Sequence, residues 1–151
     1  MQLLRPIFQR YLFWELNIEN EELLKLAISA AQEIKPGTLV LLNLRGISSY
    51  TDRFLICSAA SERQVHAIAD RIEERLASKK VRPHHREGYE EAKWILLDYG
   101  DLIIHVFDQE TKDYYDLERL WRDAPRTRIL PSEDPASPQE ESEAAKFPPG
   151  P

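Results

Sequence analysis

The sequence predicts a single α/β domain built on one mixed sheet of about five strands, with helices packed against it. Two short apolar runs at 39–44 and 54–59 are typical of buried strands. Segments with helical apolar spacing lie on either side of them, and an apolar segment with a central turn follows at 94–107. The 151 residues and 42% apolar content suffice for one core. The predicted element order is α-β-β-α-β-β-β-α.

The first helix is predicted to begin near Glu19. Glu21 and Glu22 place negative charge in its first turn, which the helix dipole favours. Its apolar face consists of Leu23, Ala27, Ala30, Ala31 and Ile34. Pro36 and Gly37 then end the helix, so the next apolar run starts a separate strand.

The second helix has the clearest start signal of the chain. Ser61 and Gln64 match a capping box, in which each side chain bonds a free backbone N–H group near the helix start. The apolar residues that follow at helical spacing are Val65, Ile68, Ala69, Ile72 and Leu76. A short edge strand is predicted over 81–87, because Pro83 cannot donate to a strand ladder.

A β-hairpin over 94–107 and a terminal helix complete the predicted domain near Ala124. The hairpin bends at residues 99–101, where a glycine stands between Tyr and Asp. A helical segment over 114–121 follows, and its spacing assigns Trp121 to the core.

The two ends of the chain are predicted to lie outside this domain, which therefore spans residues 19–124. Residues 1–18 mix apolar side chains with Arg5 and Pro6 and lack the continuous apolar core of a secretory signal, so we expect a weakly ordered extension. Residues 125–151 contain seven of the ten prolines, together with Ser, Glu and Ala. This composition buries too little apolar surface to offset its ordering entropy, which predicts a disordered tail.

The composition favours a protein partner over nucleic acid or a membrane. The formal net charge is −6, whereas neutralising phosphates requires a basic face, so binding to free nucleic acid is not expected. The same charge would attract a basic protein. No apolar run of the sequence approaches the roughly 20 residues of a membrane span. Cys57 is the one cysteine, which fits a reducing cytoplasm.

The sequence lacks motifs for catalysis, cofactors and metals, so no site of these kinds is predicted. The glycines form no phosphate-binding loop, and no serine lies in a G-x-S-x-G turn. His84 and His85 would point to opposite faces of a strand, and Cys57 has no Cys or His neighbour, so the ligand spacing of a metal site is missing. His105 is expected to be a hydrogen-bonded or sheet-facing histidine.

Three carboxylates keep one enzymatic alternative open, a cryptic nucleotidyltransferase. Asp98 and Asp101 flank the hairpin turn, and Asp52 ends the polar loop before the second strand. Two-metal phosphoryl transfer needs carboxylates that converge on one point. Nucleotidyltransferases of similar plan carry an Asp-x-Asp or Asp-x-Glu pair, whereas here Phe54 stands where the second carboxylate would be. Asp is also an ordinary turn residue, so the sequence favours a protein that is not an enzyme.

Four short motifs follow one another between residues 20 and 124. Residues 46–54 read GISSYTDRF, and residues 61–65 read SERQV. Residues 94–107 read WILLDYGDLIIHVF, and residues 115–121 read YDLERLW. Together they resemble the motifs of the ribosomal silencing factor family (RsfS, also called Iojap): S-S-x-T-D, the helix start, W-x-x-x-D-x-G-D-x-x-x-H-V and Y-x-L-E-x-L-W.

This resemblance implies a fold, a function and a partner. Members of the family are small α/β proteins of nucleotidyltransferase-like plan without the catalytic carboxylates. They bind the large ribosomal subunit through its ribosomal protein number fourteen, which blocks association with the small subunit and represses translation when nutrients are short. Organelle relatives act in large-subunit assembly, which is the alternative function, and several members look dimeric when free. We therefore expect a cytoplasmic translational repressor that binds neither free nucleic acid nor a membrane.

Six residues of the hairpin are predicted to bind the partner: Trp94, Ile95, Leu96, Asp98, Tyr99 and Asp101. An exposed aromatic anchor beside charged acceptors is the usual composition of an interface centre. The alternative is that Trp94 packs in the core and that Asp98 and Asp101 merely stabilise the turn. The exposure of these side chains decides between the two interpretations.

Overall fold

The computed structural model describes residues 20–129, and the residues predicted as an N-terminal extension lie outside this range. Helix α1 covers residues 20–33. The strands are β1 (Leu39–Asn43), β2 (Arg53–Ala59), β3 (His85–Glu87), β4 (Trp94–Asp98), β5 (Leu102–Asp108) and β6 (Arg126–Arg128). The other helices are α2 (Glu62–Ala77), α3 (Gln109–Tyr115) and α4 (Leu117–Leu120). The predicted single mixed α/β domain is confirmed.

Within residues 20–129, six strands form one mixed sheet in the order β3-β4-β5-β2-β1-β6. The central strands β2 and β5 are parallel, and the remaining neighbours are antiparallel. The parallel pair arises because α2 carries the chain away from β2 before β4 and β5 return as the predicted hairpin. The three-residue strands β3 and β6 are exposed and form the two edges, as expected for β3.

One face of the sheet is covered by α1 and α2 and holds the larger core. The strand residues in this core are Leu39, Leu55, Cys57, Ile95, Leu97, Ile104 and Val106. Full burial of a Leu, Ile or Val side chain contributes about 1.5–3 kcal/mol. Burial also raises the pKa of the Cys57 thiol to about 12, so this cysteine behaves as a small hydrophobe, as predicted. Among the described helices, none is long and apolar enough to cross a membrane.

The opposite face holds a smaller core beneath α3, α4 and the turn that follows α4. Its buried strand residues are Val40, Leu42, Phe54, Ile56 and Phe107. Trp121 packs edge-on against Phe54 with their ring centroids 5.8 Å apart, which agrees with its predicted core role. Helix α3 leaves all of its residues at least partly exposed, and α4 has only four residues. These short helices leave the β4 side of the face partly uncovered.

The capping box at the start of α2 is confirmed. The Ser61 hydroxyl accepts from the Gln64 backbone N–H at 3.1 Å, and the Gln64 carbonyl oxygen accepts from the Ala60 N–H at 2.7 Å. The Gln64 amide also donates to the carbonyl oxygens of Ile34 and Lys35, at 3.2 and 3.0 Å. One side chain therefore joins the start of α2 to the end of α1.

Two predictions about the C-terminal part of the domain are wrong. The domain does not end near Ala124, because β6 pairs with the edge of β1, and Pro125 accepts from the Asn43 N–H at 2.9 Å. This pairing is made by the backbone, so it leaves no apolar pattern in the sequence. The single helix predicted over 114–121 is instead α3 and α4, separated by Asp116 in the left-handed conformation (φ 47°, ψ 59°). The rest of the predicted tail, residues 130–151, lies outside the described range.

Candidate partner-binding surface

Strand β4 presents alternate residues to the two faces of the sheet. Ile95 is fully buried beneath α1 and α2, whereas Trp94, Leu96 and Asp98 point to the other face and remain partly exposed. Ile103 of β5 is paired with Asp98 and is also partly exposed. Trp94, Leu96, Asp98 and Ile103 therefore form one partly uncovered strip, which we call the open face.

Trp94 is held in place from several directions. Its ring stacks on Phe107 with centroids 4.9 Å apart and an interplanar angle of 26°, and it touches the ring of Tyr115 at 4.9 Å. Its indole N–H donates to Nδ1 of His105 at 3.1 Å. Trp94 thus packs against the smaller core while part of its surface remains exposed, so it combines features of both predicted alternatives. A fixed aromatic side chain loses little conformational entropy when a partner binds.

His105 is the polar residue on which this arrangement depends. Its side chain is 4% exposed, and burial lowers its pKa to about 3. Because the indole N–H can only donate, Nδ1 of His105 must be unprotonated and Nε2 carries the hydrogen. Nε2 has no hydrogen-bond partner within residues 20–129, and the Phe54 ring packs edge-on at 4.4 Å. The predicted sheet-facing, hydrogen-bonded histidine is confirmed through Nδ1.

Gly88 allows the segment before β4 to approach Trp94 closely. A Cβ atom at this position would lie 2.0 Å from the Trp94 carbonyl oxygen, and the backbone φ of 77° is unfavourable for other residues. The Ala92 N–H also donates to the Gly88 carbonyl oxygen at 3.1 Å. Glycine is therefore required where the chain folds over the start of β4.

The two carboxylates of the turn after β4 both accept hydrogen bonds. Asp98 accepts from the Gly100 N–H at 2.8 Å, and Asp101 accepts from the Asn20 side-chain amide at 3.1 Å. Tyr99 packs against the larger core, and burial raises the pKa of its hydroxyl. Asp98 is the carboxylate that lies on the open face, whereas Asp101 is exposed at the tip of the turn.

The six predicted partner-binding residues do not all share one surface. Ile95 has no exposed surface, so its predicted direct contact with a partner is wrong for this folded conformation. Tyr99 contacts the helix-covered core and is only partly exposed. Trp94, Leu96 and Asp98 lie together, since residues two apart on a strand point the same way.

Of the three carboxylates considered for metal chemistry, Asp52 and Asp101 line one small pocket, whereas Asp98 does not line it. Asp52 pairs with Arg45 at 3.5 Å, and its backbone N–H donates to the Asp101 carbonyl oxygen at 3.2 Å. Asp98 accepts from the turn backbone instead. In the described part of the chain, no group of three His, Cys, Asp or Glu side chains is placed to hold a metal ion.

A groove beside Trp94 was not predicted from the sequence. It has a volume of about 440 Å³ and is lined by Gly88, Glu91, Lys93, Trp94, Glu110, Thr111, Tyr114 and Tyr115. Tyr114 is 80% exposed and Tyr115 is 51% exposed, although both belong to an otherwise polar helix. The available signal was that the two tyrosines are adjacent, because neighbouring residues of a helix point in different directions and one apolar face cannot bury both rings.

Comparison with known proteins identifies one family. The sequence profile described as "Ribosomal silencing factor during starvation" matches residues 17–148. A ribosomal silencing factor RsfS of Halalkalibacterium halodurans is 43% identical over 112 residues, which are 74% of this chain and 96% of that protein. A crystal structure of a Bacillus halodurans protein superposes with a TM-score of 0.64 at 41% identity and covers 72% of this chain and 99% of that one.

A more distant relative has a different name. The mouse protein "Mitochondrial assembly of ribosomal large subunit protein 1" is 36% identical over 75 residues. The match includes 48% of this chain and 33% of the mouse protein.

Proposed function

This chain belongs to the ribosomal silencing factor family, and we propose that it represses translation by binding the large ribosomal subunit. Its binding site is the open face, and its contact on the subunit is ribosomal protein number fourteen. The bound protein occupies the surface that meets the small subunit, so the two subunits do not associate. Repression follows from steric exclusion and requires no catalysis and no cofactor.

The observation that supports this proposal is the composition of the open face. It combines a fixed aromatic ring at Trp94 with apolar surface at Leu96 and a carboxylate at Asp98. Aromatic anchors surrounded by polar groups are typical of the energetic centre of an interface. The net charge of −6 attracts the protein to a basic ribosomal protein and raises the rate of encounter.

The test is binding to isolated large subunits, followed by subunit joining. We expect the protein to co-sediment with large subunits and to lower the fraction of joined ribosomes as its concentration rises. Leu96→Lys should reduce the affinity about tenfold or more, because it places a basic chain opposite a basic partner. Thr127→Lys is the matched control. It adds the same charge on the exposed edge strand β6, at a position whose side chain points to the face opposite the open face.

Two results would contradict the proposal. Unchanged subunit joining at saturating protein would rule out repression by steric exclusion. Equal affinities for the Leu96→Lys and Thr127→Lys proteins would remove the binding site from the open face. The proposal also places the protein in the cytoplasm. That the free protein forms a homodimer stays a prediction, which analytical ultracentrifugation tests.

A second candidate function is assembly of the large subunit. The name of the mouse relative favours it, since that protein is described as acting in assembly of the mitochondrial large subunit. Cells that lack the protein would then accumulate immature large-subunit particles in rich medium. A silencing factor would instead leave assembly normal and increase translation when nutrients are short.

A further inference from the structure

The groove beside Trp94 has three aromatic rings in contact along its wall. Tyr114 and Tyr115 meet edge to face, with centroids 5.0 Å apart and planes at 78°. Tyr115 in turn touches Trp94, with centroids 4.9 Å apart and planes at 48°. Rings at different angles around one opening present aromatic surface from more than one side, which suits a cationic group.

Carboxylates form the other part of the groove. Glu91 and Glu110 line it, and within the described range neither forms an ion pair. Lys93 also lines the groove, but its ammonium group lies 3.8 Å from the Glu62 carboxylate. With two glutamates and one lysine in its lining, the groove has a net negative charge beside the aromatic rings.

We propose that this groove receives the side chain of a lysine or arginine from the ribosomal partner, next to the contact made by the open face. The inference rests on the proposed function and adds the chemistry of one contact to it. Cation–π attraction to the tyrosines and charge attraction to Glu91 and Glu110 act on the same group. Tyr114 and Tyr115 are exposed, so their rings are accessible to a cation from another molecule.

The charge of the groove selects a basic protein segment over RNA. Nucleobases also stack on exposed aromatic rings, but a strand of RNA carries one phosphate with each base. Glu91 and Glu110 would repel those phosphates, and Lys93 is already close to Glu62. A lysine or arginine side chain satisfies both the rings and the carboxylates.

The first experiment tests the groove without the ribosome. The full-length protein is titrated with a hexa-arginine peptide, and the indole N–H signal of Trp94 is followed by NMR, after assignment with Trp94→Phe. We expect this signal to shift, and we expect Tyr114→Ala to weaken peptide binding about two- to fivefold. Tyr114→Phe keeps the ring and should retain the affinity.

The role of the Glu91 carboxylate can be tested against a matched control, because the neighbouring residue Glu90 is also a glutamate. Glu91→Gln should weaken peptide binding, whereas Glu90→Gln removes the same charge just outside the groove and should have little effect. Equal effects of the two variants would show that the peptide responds to net charge alone and would overturn the proposal. A shift produced by oligouridine RNA and abolished by Tyr114→Ala would overturn it too, because the groove would then bind nucleobases.

The second experiment measures the same variants with isolated large subunits. Tyr114→Ala and Glu91→Gln should weaken binding about two- to fivefold, and Tyr114→Phe and Glu90→Gln should not. If the wild-type protein binds subunits and the groove variants bind equally well, the proposal fails while the proposed function stands. If the wild-type protein does not bind subunits at all, the proposed function fails, and the peptide titration alone decides what the groove binds.

Discussion

The two faces of the sheet are made by the same strands but are covered very differently. Beneath α1 and α2, Ile95 and Leu97 of β4 have no exposed surface. On the other face, Trp94 and Leu96 alternate with them and are partly uncovered, because α3 and α4 are short. We therefore propose different tasks for these neighbouring apolar residues of one strand, stability for the first pair and recognition for the second.

The largest expected effect is a difference in the free energy of unfolding between alanine variants on the two faces. Ile95→Ala removes side-chain atoms from a fully packed site and should lower the free energy of unfolding by about 2–5 kcal/mol. Leu96→Ala should lower it by about 1 kcal/mol or less, because part of that side chain is already in water. Urea denaturation measures both. Equal losses would show that the open face is as fully packed as the helix-covered face.

The next effect concerns the buried histidine under the open face. The pKa of His105 is about 3 in the folded protein against an ordinary value of 6.5, so between these values the unfolded chain binds more protons. The free energy of unfolding should therefore fall as the pH drops from about 6.5 towards 3, by at most about 1.4 kcal/mol per pH unit. Above that window the contribution of His105 is constant.

Thermal or chemical denaturation across the pH range measures this slope. His105→Gln should reduce the slope whatever its effect on stability at neutral pH. Ile95→Val is the control, because it changes the packing of β4 on the other face without removing an ionisable group and should keep the slope. An unchanged slope in His105→Gln would contradict the assignment of acid sensitivity to this residue.

A smaller effect is expected from the glycine that lets the chain approach Trp94. Gly88→Ala combines a positive φ with a Cβ atom 2.0 Å from the Trp94 carbonyl oxygen, and it should cost about 1–3 kcal/mol or more. Gly46→Ala has a similar φ of 81° but open space around the new atom, so it should cost about 1 kcal/mol. If the two variants unfolded at the same urea concentration, contact with Trp94 would not matter at Gly88.

The smallest effects compare helix caps on the two faces. Ser61 caps α2 over the larger core, and Asp108 caps α3 by accepting from the Thr111 N–H at 2.8 Å. Ser61→Ala should cost about 1 kcal/mol. Asp108→Ala should cost less in global stability, because α3 buries little and opens locally. Hydrogen exchange in α3 should instead increase, and unchanged exchange there would contradict this.

Local signals in the sequence predicted much of the fold. The spacing of apolar residues predicted α2, the central strands and the hairpin, and Ser61 with Gln64 predicted the start of α2. The division of the last helix at Asp116 was missed, because a left-handed residue inside a helical pattern has no strong signal unless it is glycine. Strand β6 was missed because a backbone ladder at an edge needs no apolar side chains.

The predicted partner-binding site stays a prediction, and the structure shows which of its residues are accessible to a partner. The β4 segment could be selected from sequence because it combines Trp94 and Asp98 with apolar residues. Which of its residues face outward depends on the side from which α1 and α2 pack, and this assigns Ile95 to the core. The groove is lined by two segments, one with Glu91 and Trp94 and the other with Tyr114, which meet only in the folded chain.

The sequence by itself determined the α/β class, the starts of the main elements and, through ordered motifs, the family, because these depend on neighbouring residues. Only the tertiary structure decided which side of β4 remains uncovered, how Trp94 is held by His105 and Phe107, and where the tyrosines of α3 meet two carboxylates. Alternation along a strand specifies two faces but not which one the long helices cover. That choice is made by packing between distant segments, so it lies beyond any local pattern.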